Sequence, residues 1–357
     1  MSHYEQRLAN DKAAIRSRIV AMGRLCTQAV ARATEAMLTG DRPKAYQVVL
    51  DDLPINRESR SIDKACHAFV ARHLPSAAHL RFVSSVMRMN VELERVGDYA
   101  VSIARHAVQL DEPPRERIAE EMKTLSDRAT EMMGDALTAF EGGDAELARD
   151  TKPVAKAMQH GFDTVFEQLT TDEAITRRRG AHLFAVFNKL ERVADQAKNI
   201  CEETLFELLG ETKPPKRYRV LFVDGRNSLI SPLAELLARK AFPESGQYES
   251  AGYQPADALS DELVSMALDV GLDVSGLSPR KLDDRTLSKF HVVVWLNGDP
   301  HKFIEEMPYK TVLLTWDLPK IADAEDGNLR KQLNKISNEL SSLITDLMVT
   351  MRGEDAS

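Results

Sequence analysis

One short string occurs twice in this chain. NVELERVGDYAVSIA begins at Asn90 and NKLERVADQAKNIC at Asn188, so LERV, one small residue and an aspartate recur about a hundred residues apart. Each copy sets two acids at i and i+4, Glu94 with Asp98 and Glu191 with Asp195. On a helix that spacing puts both carboxylates on one face, one turn apart. Like charges so placed repel, and the arrangement asks for a positive charge between them. Carboxylate oxygens suit hard cations such as Mg or Mn, and carboxylate clusters also hold Fe or Zn. Two readings stand: a site for a divalent or trivalent metal cation, or a solvated acidic face relieved by Arg95 and Arg192. For an isolated ExxxD the second would be preferred, and the duplication is what makes the first its equal.

A second constellation lies in VLFVDGRNSLISPLAE, residues 220–235. An apolar run, a glycine-containing turn and a helical period follow one another. At such a junction, backbone N–H groups and a helix N-terminus commonly bind oxyanions. The candidate oxyanion loop is Asp224, Gly225, Arg226, Asn227, Ser228 and Ser231. The carboxylate of Asp224 repels an incoming anion there unless Arg226 turns inward. As a nucleophile Asp224 lacks the second acid of a DxD pattern.

The elements that must position these groups fall in two halves. Residues 1–210 are rich in Ala, Leu, Glu and Arg with apolar positions every three or four residues, predicting helices. Leu93, Val96, Ala100 and Ile103 form the core stripe of one motif helix, and Leu190, Val193, Ala197 and Ile200 that of the other. GETKPPKR around 211–217 breaks the helical pattern and reads as a linker. Beyond it, RVLFVDG, HVVVWLNGD and KTVLLTWD are apolar runs separated by helical and turn segments, which predicts an α/β domain over 218–357 with a parallel sheet flanked by helices. A long amphipathic helix over 325–351 carries Leu329, Leu333, Ile336, Leu340, Leu343 and Leu347. The expected architecture is therefore multi-domain, all-α and then α/β.

Composition narrows the function. At 357 residues with 43% hydrophobic and 29% charged content, the chain has material for more than one packed core. The net charge of -8 disfavours nucleic acid as a partner. Three scattered cysteines, Cys26, Cys66 and Cys201, make no disulfide framework, and no apolar run approaches a membrane span, so a cytoplasmic protein is expected.

The paired LERxxD strings, closing two repeats over about 1–110 and 111–210, resemble the PhoU family, accessory proteins of phosphate-specific transport. VVLDDLPIN (Val48 to Asn56) is similar to the acidic turn of that family's preceding helix, and NICEETLFELLGE (Asn199 to Glu211) to its last segment. The resemblance covers about residues 5–210. It implies two three-helix-bundle repeats, each holding metal through the ExxxD acids and acids of the preceding helix. Asp52 fits that role in the first repeat and Asp150 is the nearest candidate in the second, where TKPVAKA supplies no further acid. It also implies a non-enzymatic negative regulator of phosphate uptake and signalling. Its partners would be a phosphate ABC transporter ATPase and a phosphate-sensing histidine kinase, with a homodimer as the expected assembly and membrane association only through partners.

The second half resembles low-molecular-weight tyrosine phosphatases and the arsenate reductases that share their fold, over about residues 217–320. Asn227, Ser231, Ala234 and Glu235, then Ser250-Ala251-Gly252, Gly271 to Ser275 and Trp316-Asp317 carry the likeness. That family's reaction needs a thiolate, an arginine that grips the oxyanion and an aspartic acid that protonates the leaving group. Here Asp224 holds the thiolate position and Ile230 the arginine position. No cysteine follows Cys201. WDLPKIAD places Lys320 and Ile321 where an Asp-Pro pair is expected, with Asp317 or Asp323 as displaced acids. A pseudo-phosphatase that binds a partner protein or senses an oxyanion is the resulting expectation. The alternatives are a phosphatase or arsenate reductase working without cysteine, and an arsenic-response regulator.

Overall fold

The computed structural model describes residues 3–353 except 115, 156–157, 159–168, 170–174, 213–214 and 320–325. It divides into two compact units, Met1–Lys213 and Pro214–Ser357. In the first, six helices are described: α1 (His3–Thr39), α2 (Arg42–His73), α3 (Ala77–Gln109), α4 (Glu116–Gly142), α5 (Ala145–Thr151) and α6 (Arg177–Leu209). Helix starts follow side-chain caps that accept the first orphan N–H groups. Asp41 accepts from the Lys44 N–H at 3.0 Å, Asp144 from those of Glu146 and Leu147, and Thr176 from that of Arg179. Gly210, at φ +73°, ends α6 in the left-handed conformation that glycine adopts without a Cβ clash.

Both repeats drain into one core. Leu93, Val96, Ala100 and Ile103 of α3 and Leu190, Val193, Ala197 and Ile200 of α6 are all fully buried in a single hydrophobic cluster shared by α1 to α6. Met89, Met132 and Met133 fill the same core. α3 packs on α1, α2 and α6, and α4 joins α1 to α6. Residues 159–168 and 170–174, within the segment where the middle helix of the second repeat is expected, lie outside the described residues.

A charged knot fastens the repeats together. The Glu207 carboxylate on α6 is almost entirely buried and meets Arg16 and Lys12 of α1, the latter at 3.2 Å. The Arg16 guanidinium also donates to the Phe140 carbonyl of α4 and lies over the rings of Phe140 and Phe82.

In the second unit β1 (Tyr218–Asp224), α7 (Ile230–Ala241), β2 (Gly246–Gly252), α8 (Asp261–Val270), β3 (Val292–Leu296), β4 (Val312–Trp316) and α9 (Asp326–Arg352) follow in order. The four strands form one parallel sheet in the order β2-β1-β3-β4, with Phe222 aligned to Ser250 on one side and to Val294 on the other. β1 and β3 are central, and VVVWL of β3 is buried at every position, as a strand covered on both faces must be. Residues of α7, α8 and α9 pack on one face of the sheet. Leu287, Phe290 and Ile304, from short 3-10 turns and connecting segments, pack on the other. β2 had no apolar run to announce it. In α9 the buried stripe continues through Ile344 and Met348, while the expected Leu343 and Leu347 are only partly buried beside it.

Removing Arg16 leaves Glu207 buried with Lys12 alone, and breaking a buried pair on one side costs on the order of 3 kcal/mol. Arg16→Met should therefore lower the stability of the helical unit by about that much, measured by denaturant unfolding of helical circular dichroism, whereas Arg24→Met, whose Glu141 partner is exposed, should change it by less than about 1 kcal/mol.

Candidate functional site

The acid face of the first repeat is built by α2 and α3 running antiparallel. Asn90 is buried and spends its amide on the Ser59 carbonyl at 3.0 Å and the Asp63 carboxylate at 2.9 Å, which fixes the register of the two helices. Asp52 comes opposite Asp98 on the next part of the same seam. One oxygen of Asp52, Oδ2, accepts from the Asn56 amide at 2.5 Å. The other, Oδ1, is buried and accepts no hydrogen bond. A Cβ on Gly97 would stand 3.2 Å from that oxygen, a tight contact, so glycine gives the Asp52 side chain room beside α3. Burial first, and then the charge of Asp98, push the Asp52 carboxyl above the usual carboxylate range, against the pull of Asn56 and Arg105.

Glu94 and Asp98 are exposed on α3. Arg95 does not relieve them, because its guanidinium is held by Glu92 at 3.2 Å. Among the described residues, no group of three or more His, Cys, Asp or Glu side chains is drawn into a metal-binding cluster. What the structure brings together is Asp52 and Asp98. Two carboxylates, one of them holding an unsatisfied buried oxygen, are a donor set that fits a hard cation.

The second repeat differs. Glu191 and Asp195 are half-buried, Asp195 pairs with Arg192 at 3.5 Å, and Asn199 turns to Gln196. Asp150 is exposed on α5. Counted from the capping aspartates Asp41 and Asp144, the residue in the place of Asp52 is Ala155, which is buried, while Asp150 stands more than a turn earlier. None of Asp150, Glu191 and Asp195 carries a buried oxygen without a partner. The cysteines add no ligand, since burial pushes the thiols of Cys26 and Cys201 up to about 12 and that of Cys66 to about 11. Sequence reasoning passed over one further pair, His106 on α3 and His182 on α6, whose Nδ1 atoms approach to 2.9 Å across the seam between repeats.

At the end of β1 the chain turns through Gly225 to Leu229 into α7. The carbonyls of Asp224, Gly225, Arg226 and Ser228 accept from the N–H groups of Tyr253, Gln254, Ala256 and Ser260 at 2.8 to 3.2 Å. Across each trans peptide the N–H points opposite to the C=O. The N–H groups of Gly225, Arg226, Asn227 and Leu229 are thereby turned away from 253–260, and that of Asn227 reaches the inside of the loop. Asn227, buried and at φ +47°, locks this shape: its Nδ2 donates to Ser231 Oγ at 2.9 Å and its Oδ1 accepts from the Arg280 N–H at 2.7 Å. Gly252 completes it, because a Cβ there would lie 2.9 Å from the Asn227 backbone nitrogen.

The inside of the loop holds the Asp224 side chain. Its Oδ1 accepts from the Asn227 N–H at 2.6 Å and its Oδ2 from the Ser231 N–H at 2.8 Å. Arg226 is exposed, and Ile230 opens α7 where a gripping arginine was sought. Ser228 serves through its carbonyl and Ser231 through its N–H and its buried hydroxyl. Asp317 is exposed just past β4, and Lys320, Ile321 and Asp323 lie outside the described residues. Beneath the loop Glu235 is wholly buried, receives the Ser250 hydroxyl at 2.6 Å and pairs with Arg239 and Arg280. Burial pushes its carboxyl up, against those three partners.

Comparison with known proteins follows this division. The PhoU domain matches residues 19–107 and 122–204, and the low molecular weight phosphotyrosine protein phosphatase domain matches residues 219–354. A phosphate-specific transport system accessory protein PhoU homolog of Pseudomonas putida is 33% identical over 214 residues, 58% of this chain and 83% of that protein. Its Pseudomonas aeruginosa counterpart is 31% identical over 214 residues, with 58% and 88% covered. The crystal structure of PhoU from Pseudomonas aeruginosa superposes with a TM-score of 0.54 at 31% identity, spanning 57% of this chain and 99% of that one.

The raised Asp52 carboxyl fixes the sign of a pH effect. The folded state binds that proton more tightly than the unfolded chain, so the associated stability is present below the unfolded value of about 3.9 and is lost as pH rises through the folded one. In chelator-treated protein, Asp52→Asn should therefore raise the thermal midpoint at pH 7, with the difference closing toward pH 4.

Proposed function

The chain belongs to the PhoU family, and on that premise we propose that it is an accessory regulator of phosphate transport and phosphate signalling whose first helical repeat holds a cation, with the appended domain serving as a non-catalytic partner module. The observation that carries the cation is the buried, unpartnered oxygen of Asp52 set against Asp98. Asp52 and Asp98 would hold the ion, with Glu94 one turn away on the same α3 face. A bound cation would supply charge neutralisation: it would let both carboxylates ionise without repulsion and tie α2 to α3. The second repeat, with Ala155 in place of the supporting acid, would hold none or a weaker one.

The family's accessory role supports the partners, a phosphate ABC transporter ATPase and a phosphate-sensing histidine kinase. No described helix is long and apolar enough to cross a membrane, so contact with a transporter would be made through its cytoplasmic parts. For the second domain the supporting fact is chemical. Phosphoryl transfer by this loop needs a nucleophile with a free approach and a cationic grip on the oxyanion. Asp224 has both oxygens engaged, and Ile230 offers no charge.

Three measurements decide these readings. Metal content of purified full-length protein should fall to background in Asp52→Asn/Asp98→Asn and stay near wild type in Asp150→Asn; retention in the double variant would remove the assigned site. Affinity capture from cells grown at high and low phosphate should recover a phosphate-transporter ATPase or a sensor kinase, and wild-type protein should not hydrolyse an aryl phosphate. Turnover abolished by Asp224→Ala would make the second domain an enzyme.

A further inference from the structure

The Asp224 loop is built like an oxyanion cradle and yet is already satisfied. Four carbonyls are drawn out by 253–260, which turns the N–H groups of the same peptides away from that segment, and the Asn227 N–H among them converges with the Ser231 N–H from the first turn of α7. Such convergent amides favour an anion through their aligned dipoles. Those of Asn227 and Ser231 are 2.6 and 2.8 Å from the two carboxylate oxygens of one side chain. Those lengths are short for N–H···O bonds and are typical of charge-assisted ones.

We propose that Asp224 is the loop's own anion: its carboxylate takes the place of a tetrahedral oxyanion, holds the cradle in its anion-bound shape at any phosphate concentration, and keeps inorganic phosphate, sulfate and arsenate out. This deepens the non-catalytic reading of the domain by naming what occupies its loop. The loop's other substitution follows from the same occupancy. An arginine at position 230 would bind an oxyanion that no longer enters, and Ile230 instead packs partly buried against the core of the unit. Asn227 and Gly252 are retained because they shape the backbone, which the carboxylate needs as much as a phosphate would.

The internal ligand makes a rescue experiment available. Both tryptophans of the chain, Trp295 and Trp316, lie in β3 and β4, so tryptophan fluorescence follows the second unit alone in the full-length protein. In chloride buffer, Asp224→Ala should unfold at a lower temperature than wild type, because two loop N–H groups lose their acceptor. Inorganic phosphate or sulfate at matched ionic strength should restore its midpoint, with affinity about tenfold or more above that of wild type. Wild type should not respond. Asp224→Asn, which keeps the shape and one acceptor oxygen without charge, should be intermediate in both stability and response, and it serves if the alanine variant does not fold. A wild type stabilised by phosphate as strongly as the variants, or folded variants that bind phosphate no better than wild type, would overturn the proposal. Neither result touches the reading that the domain does not turn over phosphoesters, which stands or falls on aryl phosphate hydrolysis by wild type.

Discussion

A carboxylate taken out of water must be answered by a cation or by convergent N–H donors, and both halves of this molecule are arranged around that requirement. Glu207 is answered by Arg16 and Lys12, and in being answered it pins α6 to α1 across the repeat boundary. Glu235 is answered by Arg239, Arg280 and the Ser250 hydroxyl, and so pins α7 to the outer strand. Asp224 is answered by backbone amides. Asp52 is answered least: Asn56 satisfies one oxygen, the other is left without a donor, and burial and then the charge of Asp98 push its carboxyl up. Glu207 also has one oxygen without a donor, yet it lies between two cations; Asp52 has a like charge opposite it, and that difference is what motivates the proposed cation.

The second domain shows how a binding loop is converted without being dismantled. Its framework depends on the carbonyls of 224–228 reaching the 253–260 segment, on Asn227 holding a left-handed backbone, and on Gly252 admitting the loop to within van der Waals range. None of those requirements concerns the identity of the anion. A side chain one bond longer beyond Cβ than cysteine, ending in a carboxylate that shares one charge over two oxygens, reaches two amides from the first position of the loop. With both oxygens so engaged, the carboxylate has its charge matched by backbone donors, and Ile230 adds no cation.

Much of this was legible in the residues, and the gaps have physical causes. The core stripes of α3 and α6 were visible because helical period and burial coincide, and β3 because a strand covered on both faces is continuously apolar. β2 was not, since an edge strand reading GQYESAG alternates exposed Gln247 and half-exposed Glu249 with buried Gly246, Tyr248 and Ser250 and has no apolar run. The duplicated acids lie on one face of each motif helix, but spacing within one helix says nothing of the partner helix. Arg95 looked like the relief for Glu94 and instead serves Glu92. His106 lay outside any motif, and its approach to His182 depends on how two repeats meet, which no local pattern encodes.

The repeats therefore share a motif without sharing a site. Both copies keep LERV, a small residue and an aspartate because Leu and Val are core, while the small residue, Gly97 or Ala194, is where the neighbouring helix comes near. Those packing demands are enough to preserve the string after a duplication. The charge demand is separate and sits on the preceding helix. In the first repeat Asp52 meets it, and Gly97 gives its oxygen room; in the second, buried Ala155 stands at the corresponding distance from the cap and Asp195 turns to Arg192. Among the described residues the apolar half of the motif is present in both repeats and an acid opposite it only in the first, so the two ExxxD pairs have different electrostatic surroundings.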